Sequence, residues 1–321
     1  MRRAAAALLL AVAPAEAFEM ILPADCRLGE TCFFQQYVDH DTGPGAHDLR
    51  CGARSYDGHD GTDIALPDLA AMERGVDVLA PADGVVLGVR DGMVDHRGTS
   101  AQRASIPSDR ACGNGVLIDH GAGWTTQSCH FRQGSVTVRP GDRVISGDPI
   151  GQIGFSGWTE FPHLHISVRH NGAIKDPFNG LSPENTCEGA RVDLWRDDAA
   201  VAYDAGGALG TGILTVVPTY ESVKADRPHQ SQLTAESDAI VVWAHFYGLE
   251  LGDVIEMRLT GPDGTVLAEQ SYEMPKNRAR EMRVVGRKAR GLWPKGSYTG
   301  VSILIRQGDV VNRSEVSANV Q

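Results

Sequence analysis

Short apolar runs separated by glycine and proline turns fill the stretch from Ala80 to Val168, and they constrain the fold more than any other feature of the chain. Strands of this size at this spacing are typical of an antiparallel sheet. The nearest helical signal is the short segment PDLAAMERG, in which Pro67 suits a helix start and Gly75 a helix end. The sequence therefore predicts a mainly β fold with an antiparallel sheet as the scaffold.

A second region of alternating apolar residues follows, and it differs in composition from the first. From Val201 to the end there is no cysteine, and turns are predicted at residues 262–264 and 308–309. About 120 residues of such strands suit an immunoglobulin-like β-sandwich, here without the cysteine pair of antibody domains. We expect residues 18–193 to form one domain and residues 194–321 to form this sandwich.

The first residues have the layout of a cleaved secretory signal. Arg2 and Arg3 precede an apolar run of about 10 residues, and small residues follow at Ala15 and Ala17. A membrane span needs about 20 apolar residues, so a membrane anchor is rejected. We expect residues 1–17 to be removed and the mature protein to be soluble and exported, to the periplasm or outside the cell.

An exported protein is expected to use its cysteines for disulfides, and this chain has six with no CxxC pair. Cys112 and Cys129 flank a predicted hairpin that turns at residues 121–123, so these two could bridge. The other four allow three pairings, and the sequence leaves all three open. They are Cys26, Cys32, Cys51 and Cys187.

The formal net charge of −11 gives the chain no long-range attraction for nucleic acid or for an anionic bilayer. We therefore expect no nucleic-acid partner. An anionic substrate would have to be captured by local contacts.

Two short segments carry histidines and a carboxylate at strand spacing. In YDGHDGTDIALP, His59 and Asp63 share a face if the chain is extended, and in FPHLHISV the same holds for His163 and His165. Each segment alone is compatible with a strand whose polar face meets water. Together, His59, Asp63 and one of the two later histidines would form a two-histidine, one-carboxylate site, which is the pattern of catalytic zinc.

The segments GHDGTD, LAPADGVV, GNGVLIDHGAGWTTQSCHF, VRPGDRVISGDPIGQIGFSG and PHLHISV resemble, in order and spacing, those of the lysostaphin-type or LytM zinc endopeptidases. The resemblance covers about residues 50–180. It implies the duplicated hybrid motif fold, a barrel-sandwich hybrid, and a peptide substrate from peptidoglycan stem peptides or cross-bridges.

The same resemblance assigns roles to five residues. It implies that His59, Asp63 and His165 bind one Zn²⁺ ion per chain. It makes His130 and His163 the catalytic histidines that do not bind the metal, without saying which of them is the general base.

The chain departs from the family pattern at two places. Ser128 stands where the family usually has an aromatic residue two positions before the strand histidine, so a tyrosine that lines the groove is expected to be missing. The segment between Arg90 and Cys112 is longer than the family's usual turn, and we expect it to cover or narrow the cleft.

Two other functions stay open at this level. Some relatives with this fold have lost metal ligands and act as non-catalytic activators or scaffolds for other murein hydrolases. Here all five site residues are present, which favours the enzyme. The C-terminal sandwich could also bind a protein or glycan partner. Since every candidate site residue precedes Asp176, we expect this sandwich to fold alone and to be dispensable for the chemical step.

Overall fold

The computed structural model describes residues 18–96, 100–183, 192–228 and 230–321. The signal peptide expected at residues 1–17 and the cysteine at position 187 lie outside the described residues. Within the described part, strands far outnumber helices, as the sequence predicts.

The strands, in chain order, are β1 Phe33–Gln36, β2 Thr62–Ala65, β3 Asp77–Leu79, β4 Gly84–Arg90, β5 Asn114–Gly121, β6 Trp124–Phe131, β7 Arg143–Val144, β8 Pro149–Gln152, β9 His163–His170, β10 Ala173–Lys175, β11 Gly207–Leu214, β12 Ala239–Leu249, β13 Val254–Thr260, β14 Val266–Glu273, β15 Arg278–Lys288, β16 Gly296–Arg306 and β17 Asp309–Val320. The α-helices are α1 Leu69–Arg74, α2 Ser100–Ala104 and α3 Tyr220–Ala225, and single 3-10 turns lie at Ser108–Arg110 and Asp197–Ala199.

The N-terminal part is built on one antiparallel sheet with the strand order β1-β2-β9-β6-β5-β4-β7, and β10 pairs with β9. Strands β3 and β8 form a separate pair. Leu164, Ile166 and Val168 alternate along β9 and are buried in the core, as strand periodicity requires. The predicted antiparallel scaffold is therefore confirmed.

The short helix that the sequence indicates between Pro67 and Gly75 is present as α1. The side chain of Asp68 accepts a hydrogen bond from the backbone N–H of Ala71 and caps the first turn. Gly75 follows the last turn with φ 87°, a conformation that favours glycine.

The C-terminal part consists of two antiparallel sheets, one with the order β11-β12-β15 and one with the order β14-β13-β16-β17. Both sheets contribute to one hydrophobic core, which includes Ile240 and Phe246 from the first sheet and Ile255 and Leu304 from the second. The immunoglobulin-like type of this two-sheet unit stays a prediction.

The two parts are in direct contact. Leu194 and Trp195 pack in the core of the N-terminal part, just beyond the boundary expected at residue 193. Arg54 is 1% exposed and donates to the backbone oxygens of Phe34, Gln35 and Asp204. Its guanidinium carbon also lies 5.5 Å from the ring centroid of Tyr247 on β12. This buried cation therefore joins the connecting segment to both parts.

Disulfides link Cys26 to Cys32 and Cys112 to Cys129, and Cys51 is disulfide-bonded as well. The bridge predicted across the hairpin of β5 and β6 is confirmed. No helix in the described ranges has both the length and the apolar character that a membrane crossing requires.

Candidate metal centre and active-site groove

His59, Asp63 and His165 converge because β2 and β9 are neighbouring antiparallel strands in which Asp63 lies opposite His165. The Nδ1 atom of His165 is 2.9 Å from Oδ1 of Asp63 and 3.1 Å from Nε2 of His59. The distance from Nε2 of His59 to Oδ1 of Asp63 is also 3.1 Å. The tertiary structure thus brings together three residues that lie up to 106 positions apart.

The outer ring nitrogen of each histidine has a partner that fixes its tautomer. Nδ1 of His59 lies 2.6 Å from the backbone oxygen of Tyr37, and Nε2 of His165 lies 3.2 Å from Oδ1 of Asp60 and 3.1 Å from Oγ of Ser167. When the nitrogen that faces these acceptors carries the hydrogen, the other nitrogen of the same ring keeps its lone pair. Nε2 of His59 and Nδ1 of His165 therefore both face Asp63 with a lone pair that can bind a metal ion.

These three side chains can hold a metal ion. Three donors about 2.0–2.2 Å from a tetrahedral zinc ion lie about 3.3 Å apart, close to the separations of 2.9–3.1 Å found between the donor atoms. Two imidazole nitrogens and one carboxylate are also the donor set of catalytic zinc sites. The residues therefore fit the metal in both geometry and chemistry.

The pKa values of Asp63 and His165 are shifted by their buried, charged neighbours. Burial alone would raise the pKa of Asp63, but the neighbouring His59 and His163 hold it well below its ordinary value. Burial would lower the pKa of His165, whereas its hydrogen bonds with Asp60 and Asp63 raise it to about 9. The site thus concentrates negative charge where a cation would bind.

His130 and His163 lie beside this cluster, with their ring centroids 4.6 Å apart. Nδ1 of His130 is 2.7 Å from the backbone oxygen of Ser156, and Nδ1 of His163 is 2.9 Å from the backbone oxygen of Phe161. Because these carbonyls accept the Nδ1 hydrogen, each Nε2 is left with a lone pair. Nε2 of His163 lies 3.5 Å from Oδ1 of Asp63.

His130 and His163 are both held mainly in their neutral form, in which an imidazole can accept a proton. Burial lowers the pKa of His163 and holds the pKa of His130 well below its ordinary value. His130 also has φ 64°, a left-handed conformation that is uncommon outside glycine, and its backbone N–H donates to the oxygen of Cys112. The Cys112–Cys129 disulfide therefore holds the chain on both sides of this contact.

Two cavities meet at the site. One, of about 500 Å³, is lined by Asp63 and His163, and the other, of about 250 Å³, is lined by His59, His130 and His165. Tyr56 and Trp158 line both cavities. The site is thus crossed by a groove, a shape that accommodates an extended chain.

The insertion after Arg90, which we expect to cover or narrow the cleft, borders this groove. Arg103 and Ala104 line the larger cavity. The indole Nε1 of Trp158 donates to the backbone oxygen of Ile106 at 2.9 Å, and Arg103 forms an ion pair with Glu160 at 2.7 Å. The insertion is therefore attached to the loop that precedes β9.

Several residues of the groove were not indicated by the sequence analysis. Tyr56 places its ring 4.4 Å from that of His59, although the substitution at Ser128 had suggested a groove without a tyrosine. Asp60 contacts His165 and is held by Arg169, whose Nη2 is 2.7 Å from its Oδ2. Ala279 of the C-terminal part lines the same cavity as His163. Only the position of Asp60 next to His59 could have drawn attention to any of them.

A family model described as "Peptidase family M23" matches residues 57–177. Among curated proteins, the chain is 29% identical over 109 residues to the cell division protein DipM of Caulobacter vibrioides, which covers 34% of this chain and 16% of that protein. It is 31% identical over 104 residues to the peptidoglycan DD-endopeptidase ShyC of Vibrio cholerae, covering 32% and 22%. The matched region thus spans less than a quarter of either relative.

Solved structures that the chain matches include the catalytic domain of lysostaphin from Staphylococcus simulans, at 22% identity and a TM-score of 0.28, covering 44% of this chain and 89% of that chain. The catalytic domain of the prophage-encoded M23 protein EnpA from Enterococcus faecalis is 21% identical with a TM-score of 0.30, covering 50% and 88%. The family model and the curated relatives carry the assignment, and its bounds agree with the region of resemblance found in the sequence. The chain therefore contains a domain of peptidase family M23 at residues 57–177.

Proposed function

We propose that this protein is an exported zinc metalloendopeptidase that hydrolyses peptide bonds in peptidoglycan stem peptides or cross-bridges. The observation that carries the proposal is the complete set of five side chains around one point. Three donor atoms lie 2.9–3.1 Å from one another, and two further histidines stand beside them with their Nε2 atoms unengaged by the backbone. The relative described as a peptidoglycan DD-endopeptidase supplies the substrate class.

His59, Asp63 and His165 would hold the zinc ion through Nε2, a carboxylate oxygen and Nδ1, respectively. When bound, zinc polarises a carbonyl oxygen and makes a coordinated water more acidic. The rest of the chemistry falls to the protein. The groove orients the peptide, and the backbone oxygens of Tyr37, Ser156 and Phe161 keep the imidazoles in the required tautomers.

His130 and His163 are the proton carriers in this proposal. Each is neutral at pH 7 because burial lowers its pKa, so its Nε2 can accept a proton from the attacking water. The resulting imidazolium can then pass the proton to the nitrogen of the leaving amine. In its cationic form, the second histidine can stabilise charge on the carbonyl oxygen through its Nε2–H, whereas its neutral Nδ1–H tautomer has no hydrogen at that atom.

A non-catalytic scaffold is the second candidate, since one of the curated relatives is a protein named for cell division. A scaffold has no need of five preserved site residues, which is why the enzyme is proposed. The test is to incubate the zinc-loaded mature protein with purified peptidoglycans of different cross-link types and to identify released muropeptides by mass spectrometry. Cleavage at one type of peptide bond is expected. Intact peptidoglycan from every source, with zinc bound, would favour the scaffold.

A further inference from the structure

A third cavity, of about 610 Å³, lies between the two parts of the chain and adjoins the catalytic groove. Its N-terminal side is formed by Glu160 and Phe161, and its C-terminal side by α3 and the beginning of β15. Glu160, Phe161 and Ala279 line both this interdomain cleft and the cavity that contains His163. A peptide that lies across His163 can therefore continue into the interdomain cleft.

Arg280 is the central cation of the interdomain cleft. Its guanidinium carbon lies 4.3 Å from the ring centroid of Phe161 and 5.1 Å from that of Phe33. Its Nε donates to Oε1 of Gln35 at 3.2 Å, and its Nη2 donates to the backbone oxygen of Leu66 at 3.0 Å. Among the residues that the structure describes, none accepts a hydrogen bond from Nη1. The N–H groups of Nη1 are therefore available to a ligand.

Arg280 also lacks a carboxylate partner, at least among the described side chains. The other cations of the interdomain cleft are paired, because Lys224 lies 2.8 Å from Glu221 and Arg278 lies 3.8 Å from Glu281. Burial lowers the pKa of Arg280 to about 10, and the nearby Tyr220 and Asp68 offset only part of the lost hydration. Asp68 itself is paired with Arg227 at 2.8 Å.

The two carboxylates that line the interdomain cleft are engaged as well. Glu160 pairs with Arg103 at 2.7 Å, and Glu281 lies 3.3 Å from Arg283. Neither can neutralise Arg280 without giving up its present partner. A half-buried guanidinium with an open donor, and with no described carboxylate in direct contact, gains most from an incoming carboxylate, since charge-assisted hydrogen bonds of this kind are the strong ones.

We propose that the interdomain cleft is a subsite for a carboxylate of the substrate peptide and that Arg280 is its receptor. The inference rests on the proposed peptidase function and adds a substrate preference to it. In a chain of net charge −11, such a local cation is the means by which an anionic peptide can be captured. It also makes the C-terminal part a wall of the substrate site, whereas the sequence analysis expected it to be dispensable.

The test measures binding of a fluorescent peptide with one acidic side chain and a free C-terminus. The zinc-loaded His163→Ala full chain serves as a binder with little turnover, and fluorescence anisotropy gives the affinity. Two neutralised peptides, one with an amidated C-terminus and one with glutamine in place of the acidic residue, identify which carboxylate is recognised. One of them is expected to bind about tenfold more weakly.

Arg280→Gln in the same background is expected to weaken the acidic peptide about tenfold and to abolish the difference between the acidic and the neutralised peptide. Arg278→Gln is the matched control, because it removes an equal charge from the same cleft at a paired position, and it should change affinity less than threefold. Equal affinity for all three peptides, equal effects of the two variants, or no binding of the acidic peptide would overturn the inference. If Arg280→Gln does not fold, the affinities of the acidic and the neutralised peptides for the His163→Ala chain still test whether a carboxylate is recognised. Failure of the peptidase proposal would show separately, as absence of peptidoglycan cleavage by the zinc-loaded wild type.

Discussion

Oδ1 of Asp60 lies 3.2 Å from Nε2 of His165, on the side of the imidazole opposite to the donor atom that faces Asp63. The carboxylate of Asp60 is held in turn by Arg169 at 2.7 Å. Burial would raise the pKa of Asp60, but its contacts with His165 and Arg169 lower it to about 2, so the group is anionic at neutral pH. Asp60 therefore orients His165 and increases the basicity of its Nδ1 atom.

We expect Asp60→Asn to weaken zinc binding by about 10- to 100-fold, because the amide orients the ring less well and no longer supports the donor with a full charge. The measurement is a competition titration against a zinc chelator, which does not depend on catalysis. Asp57→Asn is the control, since Asp57 is an exposed neighbour in the same loop and should leave the affinity unchanged. An unaltered affinity in Asp60→Asn would show that the contact plays no part in holding the metal.

Alanine variants of His163 and His165, the two histidines at the start of β9, are expected to differ in the amount of zinc they bind. His165→Ala removes one of three protein donors, so zinc occupancy and activity should fall together, and His59→Ala and Asp63→Ala should behave in the same way. His163→Ala should keep near-stoichiometric zinc and lose about 100-fold or more in turnover, as should His130→Ala.

Elemental analysis of zinc beside peptidoglycan turnover, for all five variants, checks this division of roles. Equal zinc loss from His163→Ala and His165→Ala would contradict it. Full activity in either variant would contradict the peptidase proposal itself.

Buried His245 is expected to make the protein sensitive to acid. It is 0% exposed, its ring nitrogens have no hydrogen-bond partner among the described residues, and burial together with Arg280, Arg227 and Lys224 lowers its pKa to about 3. An unfolded histidine has a pKa near 6.5, so between about pH 6.5 and 3 the unfolded chain binds a proton that the folded chain does not. Stability should therefore fall as the pH falls through this window, by up to about 1.4 kcal/mol per pH unit from this group.

Replacing His245 by phenylalanine should reduce that slope, because the ring no longer titrates. Urea unfolding of wild type and His245→Phe at several pH values between 7 and 4 measures it, with His170→Phe, at a partly exposed position, as the control. A slope that is the same in all three proteins would assign the acid sensitivity to other groups.

Arg54→Met is expected to lower the free energy of unfolding by about 3 kcal/mol, since the guanidinium is 1% exposed and its loss leaves buried backbone oxygens without donors. Arg50→Met should cost less than about 1 kcal/mol, because the side chain of Arg50 is exposed and its guanidinium carbon lies 4.4 Å from the ring centroid of Tyr203 in a cation–π arrangement. Denaturant unfolding of both variants provides the comparison. Similar losses in the two would mean that the buried position of Arg54 adds nothing.

The sequence by itself determined the antiparallel scaffold, the short helix between Pro67 and Gly75 and the bridge between Cys112 and Cys129. Each of these follows from local rules: strand alternation, the start and stop signals of proline and glycine, and the reach of a hairpin. It also indicated the five candidate site residues, because strand periodicity places His163 and His165 on one face and the family resemblance supplies the rest. Their roles are still predictions, and the structure adds that the five lie together.

Only the tertiary structure decided what surrounds them. Asp60 faces His165 because β2 and β9 pair in one particular register, and nothing in the spacing of two segments about 100 residues apart specifies a register. Ala279 borders the groove and Arg280 lines the adjoining interdomain cleft because the C-terminal part packs on β1, where Nε2 of Gln35 donates to the backbone oxygen of Ala279 at 3.0 Å. Packing between separately patterned units depends on the shape and charge of complete surfaces, and a linear pattern of residues does not contain that information.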